Sequence, residues 1–361
     1  MSSKHSLPTL TPVAADEGHF LDLRALAGRR WFRSRASGTT RGMNESAYIW
    51  MNGEMKPWNE ATIHVGTHAL HYGTGVFEGM RAYETPRGPG IVRLHDHMRR
   101  LDRSASMYFM QLPYSTAMLE QAAWDLLDAN KLDAAYLRPI AWRGYRKLGL
   151  FPLDNPVEVA IMAWPWGAYL GDDSIDHGIK AKVSSWQRFS STMLHPQAKA
   201  CGQYLNSVLA KVEATYEGYD EAIMLNDKGR IAEASSENVF VVYGDTTIRT
   251  PRLQDGILDG ITRDVIINIA RDLGYTVEEA PLDRGDLMRC DELFLTGTAA
   301  EVTPVHTIDH RHIGEPGPVT RAVQKAYFDT VHGTDERWAS MVDYAPPREG
   351  ASGEIELPSA G

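Results

Sequence analysis

Lys199 lies in the segment HPQAKACGQYLNS, among small and apolar residues, where no nearby acidic residue can pair with its charge. Burial disfavours an ammonium ion, so the pKa of a fully buried lysine falls well below its ordinary value of about 10.4. A neutral amine is a nucleophile and a proton carrier. The alternative is a surface lysine whose stem lies along a groove with its charge in water.

Three later segments favour the chemical interpretation. The segment RIAEASSENVFVV places Glu233 before an apolar run. The segment GILDGITRDVIINIARDLG predicts a turn at Asp259–Gly260, then an amphipathic helix that begins at Ile261 and stops at Gly274. The segment ELFLTGTAAEVTPV predicts a short strand followed by a loop of small residues.

In this order the four segments resemble the signature of the class IV aminotransferases, the fold type IV enzymes that use pyridoxal 5'-phosphate (PLP). The resemblance extends from about Ser46 to Gly333 through further segments: AYIWMNGEMKPW, HALHYGTGVFEGMRAY, LHDHMRRLDRSA, AAYLRPIAWRG and AWPWGAYL. YLRP from Tyr136 and GTAAEVTPV from Gly297 are most similar to the branched-chain amino acid aminotransferases. The resemblance implies amino-group transfer between Leu, Ile or Val and 2-oxoglutarate by a PLP ping-pong mechanism (EC 2.6.1.42).

The resemblance assigns the cofactor contacts. Lys199 matches the lysine that holds PLP as an imine and then shuttles a proton. Glu233 matches the carboxylate beside the pyridine nitrogen, although Glu237 is an alternative. Helix N-termini bind phosphate, and Arg100 rather than the adjacent Arg99 is expected to reach it. The implied cofactor-binding residues are Arg100, Lys199, Tyr204, Glu233, Leu258, Gly260, Ile261, Thr262 and Thr298.

The substrate pocket implied by the resemblance is aromatic, and Arg138 is expected to meet the second carboxylate of glutamate. Backbone N–H groups of Thr298, Ala299 and Ala300 are expected to hold the α-carboxylate. One or two of the aromatic residues are expected to pack behind the pocket. The implied substrate-binding residues are Tyr72, Phe77, Gly79, Tyr136, Arg138, Trp166, Tyr169, Gly297, Thr298 and Ala299.

A basic loop departs from this common pattern. The segment from Trp142 to Pro152 carries Arg143, Arg146 and Lys147, and in relatives it closes the pocket, partly across a dimer interface. We expect a homodimer or higher homo-oligomer with a shared active-site loop. The charge of this loop is expected to favour acidic or larger acceptors, although a solvated loop is the alternative.

Composition excludes several classes of protein. The 361 residues include 37 basic and 47 acidic side chains, a net charge of −10 that argues against nucleic-acid or acidic-membrane binding. The two cysteines, Cys201 and Cys290, form no C-x-x-C pair, so neither a disulfide scaffold nor a metal site is indicated. A reducing cytoplasm is the expected compartment, and no apolar run is long enough to span a membrane.

The predicted fold class is α+β, with the two-domain plan of fold type IV PLP enzymes such as the D-amino acid and branched-chain aminotransferases. Residues 1–42 are expected to be a disordered extension or an upstream-start artefact, since Asp16, Glu17 and Asp22 weaken the case for a targeting segment. The expected parts are a small domain over 43–168, a linker over 169–178, a PLP-binding domain over 179–340 and a disordered tail over 341–361.

Three alternatives come from other mechanisms. A thiol hydrolase could use Cys201 and His195, but the segment offers no orienting acid. A nucleotide-binding module could use GTGVFEGMR, which lacks the spacing of phosphate-binding loops. Another PLP enzyme of the family, an aminodeoxychorismate lyase or a D-amino acid or (R)-amine transaminase, is disfavoured by Tyr136 and Arg138.

Overall fold

The computed structural model describes residues 44–166, 170 and 173–345. Its strands are β1 Tyr48–Met51, β2 Glu54–Pro57, β3 Gly75–Phe77, β4 Met80–Thr85, β5 Gly88–Val92, β6 Ala135–Arg143, β7 Val157–Trp164, β8 Ile179–Val183, β9 Glu221–Leu225, β10 Ile231–Ala234, β11 Asn238–Tyr243, β12 Thr247–Thr250, β13 Thr276–Glu279, β14 Glu292–Gly297, β15 Glu301–Ile308, β16 Arg311–His312 and β17 Val342–Tyr344. Its α-helices are α1 His68–Tyr72, α2 Leu94–Met107, α3 Thr116–Asn130, α4 Ser174–His177, α5 Tyr204–Tyr216, α6 Ile261–Asp272, α7 Arg284–Arg289 and α8 Pro318–Val331.

The first sheet has the order β17-β5-β4-β6-β7-β1-β2, with β3 paired to β6. Its pairings are antiparallel; β6 and β7 form the longest ladder, from Tyr136 opposite Trp164 to Arg143 opposite Val157. Helices α2 and α3 pack on this sheet because their apolar residues recur at helical spacing. Met98 and Leu101 of α2 are fully buried in the same core as Leu137 of β6.

The second sheet has the order β10-β9-β8-β15-β14-β11-β12-β13, with β16 paired to β15. Three of its pairings are parallel, namely β8 with β9, β8 with β15, and β12 with β13. Strand β11 is buried along almost its whole length, since both faces of the sheet are covered. Phe240 of β11 stacks on Phe294 of β14 with ring centroids 5.0 Å apart.

Backbone hydrogen bonds join the lysine segment to the first sheet. The Phe77 N–H donates to the Lys199 carbonyl at 2.9 Å, and Val76 forms a β-bridge with Ala200. The Lys199 N–H donates to the Ser104 hydroxyl of α2 at 3.1 Å. The backbone of Lys199 is therefore held between β3 and α2, just before α5 begins.

These elements confirm the α+β fold class, and the predicted helix after Gly260 runs from Ile261 to Asp272. The boundary predicted for the tail is wrong, because Val342–Tyr344 forms β17 on the edge of the first sheet. Apolar Val342 is buried there, and the Asp343 carboxylate accepts the first N–H of α2 at 2.7 Å. Helix α4 lies within the predicted linker, while residues 1–42 and most of the tail lie outside the described residues. The division into two domains stays a prediction.

Across the described ranges, none of the helices has the length and apolar character that crossing a membrane requires.

Candidate active site

One cavity of about 330 Å³ gathers most of the predicted site residues. Helix α5 lines it at helical spacing through Tyr204, Ser207, Val208 and Lys211. Of the predicted residues, those that line it are Phe77, Gly79, Arg100, Tyr136, Arg138, Trp166, Lys199, Tyr204, Leu258, Gly260, Ile261, Thr262, Gly297, Thr298, Ala299 and Ala300.

The Lys199 amine lies among aromatic rings. Its Nζ donates to the Tyr204 hydroxyl at 2.8 Å and lies 5.1 Å from the centre of the Phe77 ring. Within the part of the chain that the structure describes, no carboxylate forms a salt bridge with it. The side chain is partly buried. The amine therefore faces the cavity with a hydroxyl partner and no counter-charge.

A buried ion pair holds Arg100. Its Nε and Nη2 donate to the two carboxylate oxygens of Glu78 at 2.6 and 2.8 Å, and its Nη1 donates to the Asp259 carbonyl at 2.7 Å. Burial alone would raise the pKa of Glu78, but Arg100 and His97 together lower it well below its usual range. Sequence analysis did not find Glu78, whose only signal is its place before Gly79 in FEGMR. The pair fixes the guanidinium beside the N-terminus of α6.

The first turn of α6 leaves backbone donors at the cavity. Its N-cap is Gly260, which has no side chain to accept the first N–H groups, and these have no partner within the helix. A Cβ at Gly260 would lie 2.0 Å from Asn238 Oδ1, so the close approach requires glycine. Ile261 and Thr262 line the cavity here. Together with Arg100 they can bind an anion.

The turn between β14 and β15 provides a second set of donors. In the described chain, the backbone N–H groups of Thr298, Ala299 and Ala300 donate to no protein acceptor. All three residues line the cavity. Successive free N–H groups form a concavity that suits an anion such as a carboxylate.

Glu233 borders a smaller cavity that also touches Lys199 and Tyr204. Its carboxylate accepts from Arg188 Nη2 at 2.6 Å and from the Leu258 N–H at 2.8 Å. Both side chains of this ion pair are buried. Arg188 was missed by sequence analysis, since nothing in the SSWQRF segment distinguishes it from a surface arginine.

Glu237, the alternative to Glu233, is in a different electrostatic state. Burial and the negative charge of Glu221 raise the pKa of Glu237 to about 8. The Ser236 hydroxyl donates to it at 2.5 Å, and Lys211, which faces it, donates to Glu221 at 2.5 Å. Glu237 therefore holds its proton to a higher pH than an ordinary glutamate does.

Aromatic rings form the pocket around Arg138. The Tyr136 ring packs 5.0 Å from Trp166, and Arg138 lies 4.7 Å above the Phe77 ring. Arg138 Nη2 donates to the Tyr136 hydroxyl at 3.2 Å, and the guanidinium has no carboxylate partner in the described ranges. A Cβ at Gly79 would lie 2.0 Å from the Tyr136 hydroxyl, so glycine gives this ring its space.

Two predicted pocket residues are not part of this wall. Tyr72 does not line the cavity: it is 42% exposed at the end of α1, packed 4.5 Å from the His68 ring. Tyr169 lies outside the described residues.

The three cations of the basic loop after β6 lie in two different environments. Arg143 is buried and donates to the carbonyls of Asn155 and Phe109. Lys147 pairs with Asp154 at 2.6 Å, and Arg146 donates to the Asp154 carbonyl at 3.0 Å. Arg143 therefore holds the ends of the loop, while the other two cations lie at its surface.

The structure argues against the thiol hydrolase and the nucleotide-binding module. Burial raises the pKa of the Cys201 thiol to about 11, so this sulfur is not the thiolate that a thiol hydrolase needs. The segment GTGVFEGMR forms β3 and the start of β4, and no helix follows its glycines as a phosphate-binding loop would require.

Comparisons with known proteins agree with this geometry. A family profile described as Amino-transferase class IV matches residues 75–308. The chain belongs to the class IV aminotransferases. This confirms the resemblance found in the sequence and with it the assignment of the protein as an enzyme of this class.

Individual relatives are similar over most of this aminotransferase. It is 44% identical over 299 residues to a branched-chain-amino-acid aminotransferase of Pseudomonas aeruginosa, covering 81% of this chain and 97% of that protein. The crystal structure of the Escherichia coli branched-chain amino acid aminotransferase superposes with a TM-score of 0.81 at 42% identity, covering 83% and 99% of the two chains. The branched-chain amino acid aminotransferase from Thermobaculum terrenum, in its PLP form, gives a TM-score of 0.78 at 37% identity, covering 83% and 98%.

The state of Glu237 in this aminotransferase predicts a pH-dependent stability. The folded protein keeps the Glu237 proton up to about pH 8, whereas the unfolded chain releases it near 4.5. Because the native state binds more protons than the unfolded chain between these two pH values, its free energy of unfolding should decrease as the pH rises through this range. Glu237→Gln should not show this decrease. Urea unfolding of both proteins at about pH 5 and about pH 8 measures the difference.

The variant should gain stability relative to wild type as the pH rises. The exposed carboxylate of Glu60 offers a matched control, and Glu60→Gln should leave the pH dependence unchanged. A wild-type and Glu237→Gln difference that is constant with pH contradicts the raised pKa.

Proposed function

We propose that this enzyme transfers amino groups between branched-chain L-amino acids and 2-oxoglutarate, with PLP as its cofactor. The observation that carries the proposal is the Lys199 amine, 2.8 Å from the Tyr204 hydroxyl, in a cavity that also holds two sets of free backbone donors. One set suits a phosphate and the other suits a carboxylate. The relatives named above support the substrate class.

The residues present fit PLP. Arg100 and the N–H groups of Ile261 and Thr262 would hold its phosphate, with Thr298 nearby on the same cavity wall. Tyr204 would hydrogen-bond the ring hydroxyl, and Lys199 would hold the cofactor covalently. When bound, PLP supplies an electron sink that stabilises negative charge at the substrate α-carbon.

Two acids compete for the pyridine nitrogen, and their surroundings favour Glu233. A carboxylate must be ionised to keep that nitrogen protonated, and the Arg188 guanidinium at 2.6 Å balances the charge of Glu233. The raised pKa of Glu237 disfavours the charged form that this role requires. Arg188 is thus proposed as the residue that orients the Glu233 carboxylate.

Lys199 is proposed to move the proton at the substrate α-carbon. A free amine without a carboxylate partner can take this proton and return it, and the Tyr204 hydroxyl keeps the Nζ in one position. The ring of Phe77 packs against the amine on one side, with its centre 5.1 Å from the Nζ. The amine's uncharged state at working pH stays a prediction.

Replacing Lys199 tests the enzyme class. Purified wild-type protein should be yellow, and borohydride should attach PLP irreversibly to Lys199, as measured by the mass of the corresponding peptide. Lys199→Met should abolish this attachment and lower the rate of leucine transamination by at least about 10³-fold, since it removes the nucleophile and the proton carrier.

Lys228 provides a matched control because it lies on the β9–β10 turn, outside the cavity of Lys199. Lys228→Met should keep both colour and rate. Amino-group exchange at wild-type speed in Lys199→Met would remove the proposal.

The pocket suits both types of substrate. Phe77, Tyr136 and Trp166 offer apolar surface to an aliphatic side chain. Arg138 has no carboxylate partner among the described residues, so it is free to pair with the side-chain carboxylate of glutamate. The rings that stack against the guanidinium keep it in place when an aliphatic substrate enters.

Arg138→Gln tests this dual recognition. The variant should lower kcat/KM for glutamate by about 10²-fold, because a charge-assisted bond to a desolvated carboxylate contributes about 1.5–3 kcal/mol. Its kcat/KM for leucine should change by less than about threefold. Steady-state assays with each donor measure the ratio, and an equal loss for both donors contradicts the assignment.

The surface loop provides a comparison in the same assay. Arg146→Ala should reduce the preference for glutamate only slightly, since its side chain lies at the surface. A glutamate-to-leucine ratio identical to wild type would remove the hypothesis that the loop charge selects acidic acceptors.

We also propose a homodimer that shares an active-site loop. Leu150 and Phe151 of the loop after β6 are 88% and 70% exposed, and Val65 and Leu70 near α1 are 75% and 60% exposed. Exposed apolar patches of this kind mark interfaces. The reducing cytosol inferred from the cysteine content stays a prediction.

Light scattering of the purified protein tests the assembly. The proposal requires a mass of at least two 40.2 kDa chains. Leu150→Asp should shift the mass toward one chain, whereas a change at the exposed Met118 of α3 should not. A wild-type monomer contradicts the proposal.

A further inference from the structure

Glu301 has an unusual backbone conformation at the end of the carboxylate-binding turn. Its φ is 55°, in the left-handed region, although it is not glycine. L-residues with a side chain are disfavoured there because of the contact between Cβ and the carbonyl oxygen. The residue directly follows Ala300, the last member of the turn with free N–H groups. A strained conformation at this position persists only where other contacts hold it.

Those contacts come from the first sheet. The Tyr83 hydroxyl donates to Glu301 Oε1 at 2.9 Å, and Arg81 Nη1 lies 3.3 Å from the same oxygen. The Tyr83 hydroxyl also lies 3.3 Å from that of Tyr327 on α8. The Glu301 side chain is only 7% exposed. The buried Glu301 carboxylate of β15 therefore accepts a hydrogen bond from one side chain of β4 and forms an ion pair with another.

The same strand reaches the cavity at its start. Gly79, which immediately precedes β4, lines the cavity, and Arg81 pairs in register with Tyr136 of the aromatic pocket. Arg81 Nη1 has no hydrogen-bond partner within the described ranges, so Glu301 provides its charge balance. The network thus connects the turn at Thr298–Ala300 with the wall that contacts the substrate side chain.

We propose that Glu301 is a positioning residue, which uses Tyr83 and Arg81 to hold the turn so that its N–H groups face the substrate α-carboxylate. This rests on the proposed function. Glu301 itself does not line the cavity. Its effect is to keep three backbone donors aligned against a backbone preference that would otherwise rotate them.

Binding of a simple carboxylate separates this role from general stability. The probe is 4-methylvalerate, whose binding to the PLP-loaded enzyme is measured from the cofactor absorbance. The neutral 4-methylpentanamide has the same chain without the charge. Tyr83→Phe should weaken binding of the carboxylate about fivefold, and Glu301→Gln about tenfold, because each loosens the turn. Binding of the amide should change by less than about twofold in both variants.

Glu301→Gly serves as a second variant that folds without backbone strain, since glycine adopts φ of 55° freely. It should also weaken carboxylate binding, because the turn loses its link to β4. Tyr243→Phe is the matched control, because it removes a tyrosine hydroxyl that donates to Asp286 at 2.6 Å. Tyr243 lies in the second sheet, as Glu301 does, but outside the cavity. It should leave both affinities unchanged, even where it lowers the Tm.

Unchanged carboxylate affinity in Tyr83→Phe and Glu301→Gly, with only the Tm lowered, overturns the inference and leaves the proposed function standing. Equal weakening of carboxylate and amide also overturns it, because a collapsed pocket would act on both. A wild-type protein that forms no adduct with PLP and transaminates no amino acid overturns the proposed function itself.

Discussion

The site depends on the cost of burying charge. A buried ion is destabilising unless another group balances it, and three buried glutamates near the cavity each have their own partners. Glu78 holds Arg100 by two hydrogen bonds, Glu233 is paired with Arg188, and Glu301 is held by Tyr83 and Arg81. Lys199 and Arg138 line the same cavity with hydroxyl partners instead. The cations that are paired with a carboxylate position the site. Lys199 and Arg138, which have no carboxylate partner among the described residues, are available for chemistry and recognition.

Free backbone N–H groups provide further positive partial charge at the cavity. The N-terminus of α6 and the turn between β14 and β15 both present free N–H groups to the cavity. Each depends on its neighbours in a specific way: Gly260 makes room for Asn238, and Glu301 adopts a left-handed conformation. Both arrangements use fixed dipoles, which need no reorganisation when an anion arrives.

Sequence reasoning succeeded where the signal was local. The helix that starts after Gly260 and the strand that leads from Glu292 into a loop of small residues are patterns over a few positions. It failed for groups defined by distant neighbours. Glu78 is 22 residues from Arg100 along the chain, and Tyr83 is 218 residues from Glu301. Tyr72 is exposed and does not line the cavity of this chain, so its part in the substrate pocket stays a prediction.

The sequence by itself determined the class IV aminotransferase family, the presence of an amine at Lys199 among small residues and a helix start after Gly260. Periodicity, glycine placement and residue type depend on near neighbours, so they can be recognised along the chain. Only the tertiary structure decided that Glu233 is paired with a cation and that the pKa of Glu237 is raised. Burial and Coulomb interaction depend on distance in space, and folding alone brings Arg188 to Glu233 and leaves Glu221 beside Glu237.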